Sequence, residues 1–203
     1  TIVTLILFNT YYVGVILISL LLIWLYGYIS VMESDWRILI ASSIIICSGL
    51  ALASNPLFLL QFIAPSVLIG SSLLISRHFR RCSLWVLITC LVGVLFGYAV
   101  RSLLSNYTAA SVNSYISLDR ISSALNFFIG TVNNSISDPV FALLWSFWFL
   151  LFLIHSTFYV NYIRRQNTLS FTFVFFHAFC IASPLITLAG VILTGNHLTR
   201  YLI

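Results

Sequence analysis

Two histidines inside long apolar runs, His155 and His177, are the side chains best placed to do chemistry in this sequence. Their runs travel in opposite directions. Each histidine stands about eight residues from the same basic side, roughly 12 Å deep at the rise of an α-helix. Two imidazoles facing each other at one depth would ligate a b-type haem. The plainer alternative is an interhelical hydrogen bond with Ser156, Tyr159 or Ser170. A second cluster, Arg77, His78, Arg80 and Arg81, lies between two apolar runs, and Arg164 and Arg165 follow a later one. Guanidinium forks pair well with phosphate oxygens, so these six residues form a candidate seat for an anionic lipid such as cardiolipin. The alternative is an orientation signal solvated by headgroups.

Other chemistry is sparse. Cys47, Cys82, Cys90 and Cys180 are scattered, without a C-x-x-C pair or metal-ligand spacing, which reads as apolar packing. The acids Glu33, Asp35, Asp119 and Asp138 all fall outside the apolar runs. A proton relay or ion-coupled carrier keeps an ionisable group within the bilayer, so a pump working alone is disfavoured. No catalytic residue and no metal-ligand set is expected. Asn106-Tyr-Thr108 and Asn133-Asn-Ser135 are glycosylation sequons, relevant only on a secretory route.

The elements that carry these residues follow from composition. The chain has 203 residues, 61% hydrophobic, 16% aromatic and 6% charged, with a mean hydropathy of +1.11. Nine arginines and four acids, with no lysine, cannot supply the charged shell of a water-soluble domain of this length. Lipid is the solvent. The net charge of +5 sits in short turns, which suits membrane orientation and lipid phosphate, not nucleic acid. The first apolar run lacks a basic n-region, so no cleavable signal peptide is expected, although a short leader preceding Thr1 is compatible with the missing methionine.

A crossing takes about 20 apolar residues, because the hydrocarbon core is about 30 Å thick. The expected fold is an all-α polytopic transmembrane bundle, one membrane domain over 1–203. Six spans are expected near 3–27, 37–54, 56–76, 83–104, 140–163 and 169–194. Asn55-Pro56 alone joins the second and third, predicting a tight helical hairpin, and Pro65 and Pro184 predict kinks. Residues 105–138 form an extramembrane loop carrying Asp119 and Arg120. Within it Leu118, Ile121, Leu125, Phe128 and Ile129 share one helical face, which predicts a short helix on the membrane surface or against a neighbouring subunit. Alternating spans put Arg37, Arg77, Arg80, Arg81, Arg164 and Arg165 on one side, and Arg101, Arg120 and Arg200 on the other. By the positive-inside rule the first side is cytoplasm or matrix, and both termini lie opposite.

Five stretches, taken in order, carry a family resemblance: SVLIGSSLLISRHFRR at Ser66–Arg81, LWVLITCLVGVLFGYAV at Leu84–Val100, ISDPVFA at Ile136–Ala142, STF at Ser156–Phe158 with Arg165-Gln166, and FFHAF at Phe175–Phe179. Their order and spacing resemble subunit III of cytochrome c oxidase in a shortened, divergent form. The resemblance implies a non-redox core subunit of the mitochondrial respiratory chain, multi-pass in the inner membrane, with termini on the intermembrane-space side. Such a chain binds no haem or copper; haem a and copper belong to the partner catalytic subunits. It packs beside catalytic subunit I and other complex IV subunits, holds phospholipid between its helices and supports sustained turnover. The family's loops matching Arg77–Arg81 and Arg164–Gln166 face the matrix.

The departures from the family are equally specific. Members usually have seven spans, and the first has no counterpart here. The Trp-Trp-Arg-Asp signature is not recognisable near Glu33–Arg37. The membrane-buried glutamate aligns with Ser43, and the acid after the last-helix histidine becomes Cys180. A proton-uptake role therefore does not carry over. Three further readings remain open from sequence: a haem-b anchor using His155 and His177, an accessory membrane subunit of another respiratory or ATP-synthase complex, and a secretory-route channel or transporter.

Overall fold

Long runs of Leu, Ile, Val and Phe can satisfy their backbone in lipid only by hydrogen bonding within the segment, and helices are what form. The computed structural model describes residues 2–32, 34–55, 57–104, 118–136, 138–165 and 170–194. In chain order these build α1 (Ile2–Val31), α2 (Ser34–Ser54), a π-helical turn (Leu59–Ile63) that runs into α3 (Ala64–Leu73), α4 (Arg80–Leu103), α5 (Leu118–Ile136), α6 (Pro139–Arg165) and α7 (Phe171–Thr194). No strand occurs among the described residues.

Three stretches are long and apolar enough to cross a membrane: Asp35–Ser54, Arg80–Leu103 and Phe171–Gly190. α1 and α6 have 30 and 27 residues, but their apolar stretches among the described residues are shorter, Gly14–Ile29 and Ser146–Asn161. The helical segment after Asn55 is also shorter than the 56–76 read from sequence. It ends at Leu73 because Leu74–Phe79 turns, with Ser76 N–H donating to Leu73 O (3.1 Å) and Phe79 N–H to Ser76 O (3.2 Å). The tight turn expected at Asn55 is present, but α2 and the α3 segment it joins barely touch. Leu57 N–H donates to Asn55 Oδ1 (2.9 Å) and Phe58 N–H to Asn55 O (3.0 Å).

Helix directions follow from which residues meet. On α2 and α4 the paired numbers rise together: Gly93 lies against Ser48 and Ile45, and Gly97 against Gly49 and Leu52. The two helices are therefore parallel, and they share the most extensive helix contact in the fold. On α6 and α7 the numbers run oppositely, with His155 against His177 and Phe158 against Phe173. α7 is likewise antiparallel to the α3 segment, since Phe79 meets Phe171, Phe62 meets Phe179 and Leu60 meets Gly190. α1 ends beside the start of α7, where Gly27 touches Thr172.

The core is aromatic. Tyr26, Phe58, Phe62 and Phe175 are almost wholly buried. Their rings pack at centroid distances of 5.2 Å for Phe58–Phe62 and 5.6 Å for Tyr26–Phe175, in the range where offset and edge contacts add to burial. The α2–α4 seam uses small residues instead. A Cβ at Gly97 would lie 2.8 Å from Gly49 O and 3.1 Å from Leu52 Cβ, and one at Gly49 would lie 3.0 Å from Gly93 O. Backbones approach that closely only across a small-xxx-small stripe, here Gly93-x-x-x-Gly97. α5 packs on α6 and α7. Its packed face is Ala124, buried, with Ile121, Phe128 and Val132 half-buried, whereas Leu125 and Ile129 are exposed. The expected apolar stripe is thus split. Only one edge of it meets the bundle.

Candidate functional site

The helix directions decide which polar residues share an end. α1 finishes there, the Leu74–Phe79 turn lies there, and α2, α4 and α7 begin there. Antiparallel pairing with α7 brings the C-terminus of α6 to the same end. Arg37, Arg77, His78, Arg80 and Arg81 therefore gather at one end of the bundle, and the α6 backbone reaches it at Arg164 and Arg165. The side chains of Arg164 and Arg165, like Glu33, Asn106, the side chains of Asp119 and Arg120, Gln166 and Arg200, lie outside the described residues. Arg101 stands near the other end of α4.

Arg77, His78, Arg80 and Arg81 are exposed. Arg37 differs. It is half-buried, and its Nε–H is shielded from solvent without an acceptor. Its position follows from the parallel seam: the offset that pairs Ser48 with Gly93 and Leu52 with Gly97 brings Arg37 opposite Cys82. Consistent with that register, Arg37 and Arg81 are the two cations whose fields reach the Cys82 thiol. By sequence Arg37 belongs with the orienting arginines and not with the phosphate seat. The parallel α2–α4 pairing that brings it to Arg81 is carried by GVLFG at 93–97, a small-residue signal present in the sequence.

His155 and His177 do meet, as equal depth on antiparallel helices predicts. Their ring centroids are 5.0 Å apart, with planes inclined at 69°. His177 Nδ1 lies 2.9 Å from Phe173 O on its own helix. A carbonyl only accepts, so Nδ1 carries a proton. His155 Nδ1 is buried with no partner. The expected bonds to Ser156, Tyr159 or Ser170 are not formed by these nitrogens; Ser170 Oγ instead accepts from Phe173 N–H at 3.3 Å. Phe158, Phe173 and Phe176 pack around His177 at 5.2, 4.1 and 5.7 Å. An axial haem pair holds its rings on opposite faces of a porphyrin. Rings in mutual edge contact leave no space for the macrocycle, so this arrangement does not fit one. No cluster of three or more His, Cys, Asp or Glu with metal-binding geometry exists among the described residues.

Elsewhere one hydroxyl pair joins two helices. Thr89 donates to Trp85 O at 2.8 Å, so the Tyr26 hydroxyl, 3.1 Å away, donates to Thr89 Oγ1. Tyr26 also lies 3.5 Å from Cys90 Sγ. This ties α1 to α4 in the middle of the core. Ser43, aligned by the family resemblance with a buried acid, donates back to Leu39 O at 3.0 Å.

Fold and composition together define an all-helical membrane protein whose arginines concentrate at one end. Compared with known proteins, the chain matches no family model, no curated protein and no solved structure.

Proposed function

We propose that this chain is a shortened subunit III of mitochondrial cytochrome c oxidase, a non-redox core subunit that packs beside the catalytic subunit and binds anionic phospholipid. The observation that carries the reading is a concurrence. The stretches that resemble the family in order, Ser66–Arg81 and Ser156–Gln166, are those whose basic turns belong at one membrane face, and the helix directions bring Arg77–Arg81 and the end of α6 to one end of the bundle. In this reading the cationic end faces the matrix, six segments cross the inner membrane, and α5 stays at the opposite surface. Haem a and copper reside in the partner subunits. Arg77, His78, Arg80 and Arg81, with Arg164 and Arg165, meet lipid phosphate such as that of cardiolipin.

Gentle solubilisation followed by native electrophoresis tests the assignment. Co-migration with haem-a absorbance and oxidase activity is expected, and migration with a different complex refutes it. In the same preparation, the Arg80→Ala, Arg81→Ala double variant is expected to stay in the complex and to retain less anionic phospholipid by native mass spectrometry. Unchanged lipid removes the phosphate seat.

A further inference from the structure

Among the described residues, four arginine side chains stand at the cationic end, and one of them is not free to turn outward. Arg77, Arg80 and Arg81 are exposed, so water or headgroups can meet their guanidinium groups. Arg37 is half-buried, and its Nε–H is shielded from solvent and finds no acceptor. A guanidinium cannot shed its proton to escape that cost. A charged donor left buried and unmet is among the more expensive defects a fold can carry. Asp35 is the one acid in α2. It is exposed, and residues two apart on a helix do not face each other.

The start of α4 has the same deficit. Its N-cap, Phe79, supplies no side-chain acceptor, and its first turn holds no acid. The Arg80 and Arg81 N–H groups have no partner within the helix. Arg37 from α2 and Arg81 from α4 are both close enough for their fields to reach the Cys82 thiol. Two helices thus bring cations and unmet donors to the surroundings of one residue.

We infer that Arg37 is the buried arm of the phosphate seat: with Arg81 and the first N–H groups of α4, it clamps one phosphate between the first turns of α2 and α4. Phosphate offers what this place lacks. Two of its oxygens match the fork made by Nε–H and a terminal N–H of a guanidinium, and its charge suits a helix N-terminus. The apolar residues of the same turn favour lipid as the source. Trp36, Ile38 and Leu39 are 60%, 62% and 57% exposed, a surface on which acyl chains can lie beside the headgroup. This arm rests on the phosphate seat proposed above, although not on the oxidase assignment.

Thermal unfolding of the purified full-length chain in an uncharged detergent tests the clamp, with phosphatidylglycerol, phosphatidylcholine or inorganic phosphate added. At a hundredfold excess over its dissociation constant, phosphatidylglycerol is expected to raise the midpoint by about 5–10 °C. Arg37→Met is expected to lose most of that increment. With no anion present it should unfold no earlier than wild type, because it removes an unmet buried charge; an arginine with a merely structural role would give an earlier midpoint. Arg37→Lys keeps the charge without the Nε–H, and is expected to bind phosphatidylglycerol about tenfold more weakly by native mass spectrometry. An increment from inorganic phosphate alone keeps the clamp and makes the free anion its ligand. Equal increments from the two lipids, or an increment that survives Arg37→Met, overturn the role of Arg37. If the Arg80→Ala, Arg81→Ala variant loses lipid while Arg37→Met keeps it, the seat stands without this arm. If neither loses lipid, both fall.

Discussion

Gly97→Ala should separate the contribution of the α2–α4 seam from helix propensity. The added methyl would lie 2.8 Å from the Gly49 carbonyl oxygen and 3.1 Å from Leu52 Cβ, whereas ordinary contact begins near 3.4 Å. The obstacle is backbone, so the two helices must part by about half an ångström along their closest approach. Overpacking of this kind costs about 1–3 kcal/mol, against a gain of about 1 kcal/mol for replacing glycine by alanine within a helix. Gly130→Ala supplies the control, since a methyl there meets nothing within 4 Å and only the propensity gain applies. The midpoints of the two variants should therefore differ by about 2–12 °C, Gly97→Ala being the lower. Gly93→Ala should fall between them, because its methyl would press on the Ser48 hydroxyl, the end of a side chain that can turn away. Thermal unfolding in detergent measures all three. If Gly97→Ala matches Gly130→Ala, the close seam is refuted, and the parallel register drawn from it loses its main support.

Two further outcomes test neighbouring parts of the same architecture. A double-mutant cycle with Tyr26→Phe and Thr89→Val should give a coupling energy of about 0.6 kcal/mol and at most about 1.7, because their 3.1 Å bond joins α1 to α4; additive effects on unfolding remove the bond. In a chain whose other native cysteines are replaced by serine, Arg37→Cys should form a disulfide with Cys82 under mild oxidation, while the same substitution paired with Cys90 should not. Helices that ran antiparallel would hold Arg37→Cys far from Cys82 and give no bridge, since bridging needs Cα atoms within about 7 Å.

The sequence makes the helical class legible because no other backbone arrangement suits such apolar runs, and the Asn55 turn because an Asx-type turn is written locally. The gathering of arginines at one end was equally readable, since it depends on run lengths alone. The meeting of His155 with His177 followed from equal depth on opposed helices. Its geometry did not: aromatic neighbours from two helices and the Phe173 carbonyl decide how the rings sit, and none of those partners is fixed by spacing. The π-turn was invisible for a related reason. Pro65 announces a kink, but a widened turn is stable here because Ser183, more than a hundred residues away, supplies the missing donor. The α5 stripe was misjudged in width, because periodicity reports which face is apolar and not how much of that face a neighbour covers.

The cationic end raises an electrostatic question that the fold itself sharpens. Two parallel helices, α2 and α4, begin side by side there, and helix N-termini carry partial positive charge. α2 opens with Asp35 in its first turn, the favourable sign, but α4 opens on Arg80-Arg81 with no acid in its first turn. Each misplaced cation costs about 0.3–1 kcal/mol at an exposed terminus, and Phe79 at the N-cap has no side-chain acceptor to offset it. Arg37, held opposite Cys82 with its Nε–H lacking an acceptor, adds a further positive charge to the same place. Such an arrangement is unfavourable in isolation and becomes favourable beside a layer of phosphate, which offers acceptors to the guanidinium forks and negative charge to both helix termini. On the proposed phosphate seat, removing Arg80 and Arg81 should weaken lipid retention without loosening the helix pair beneath them.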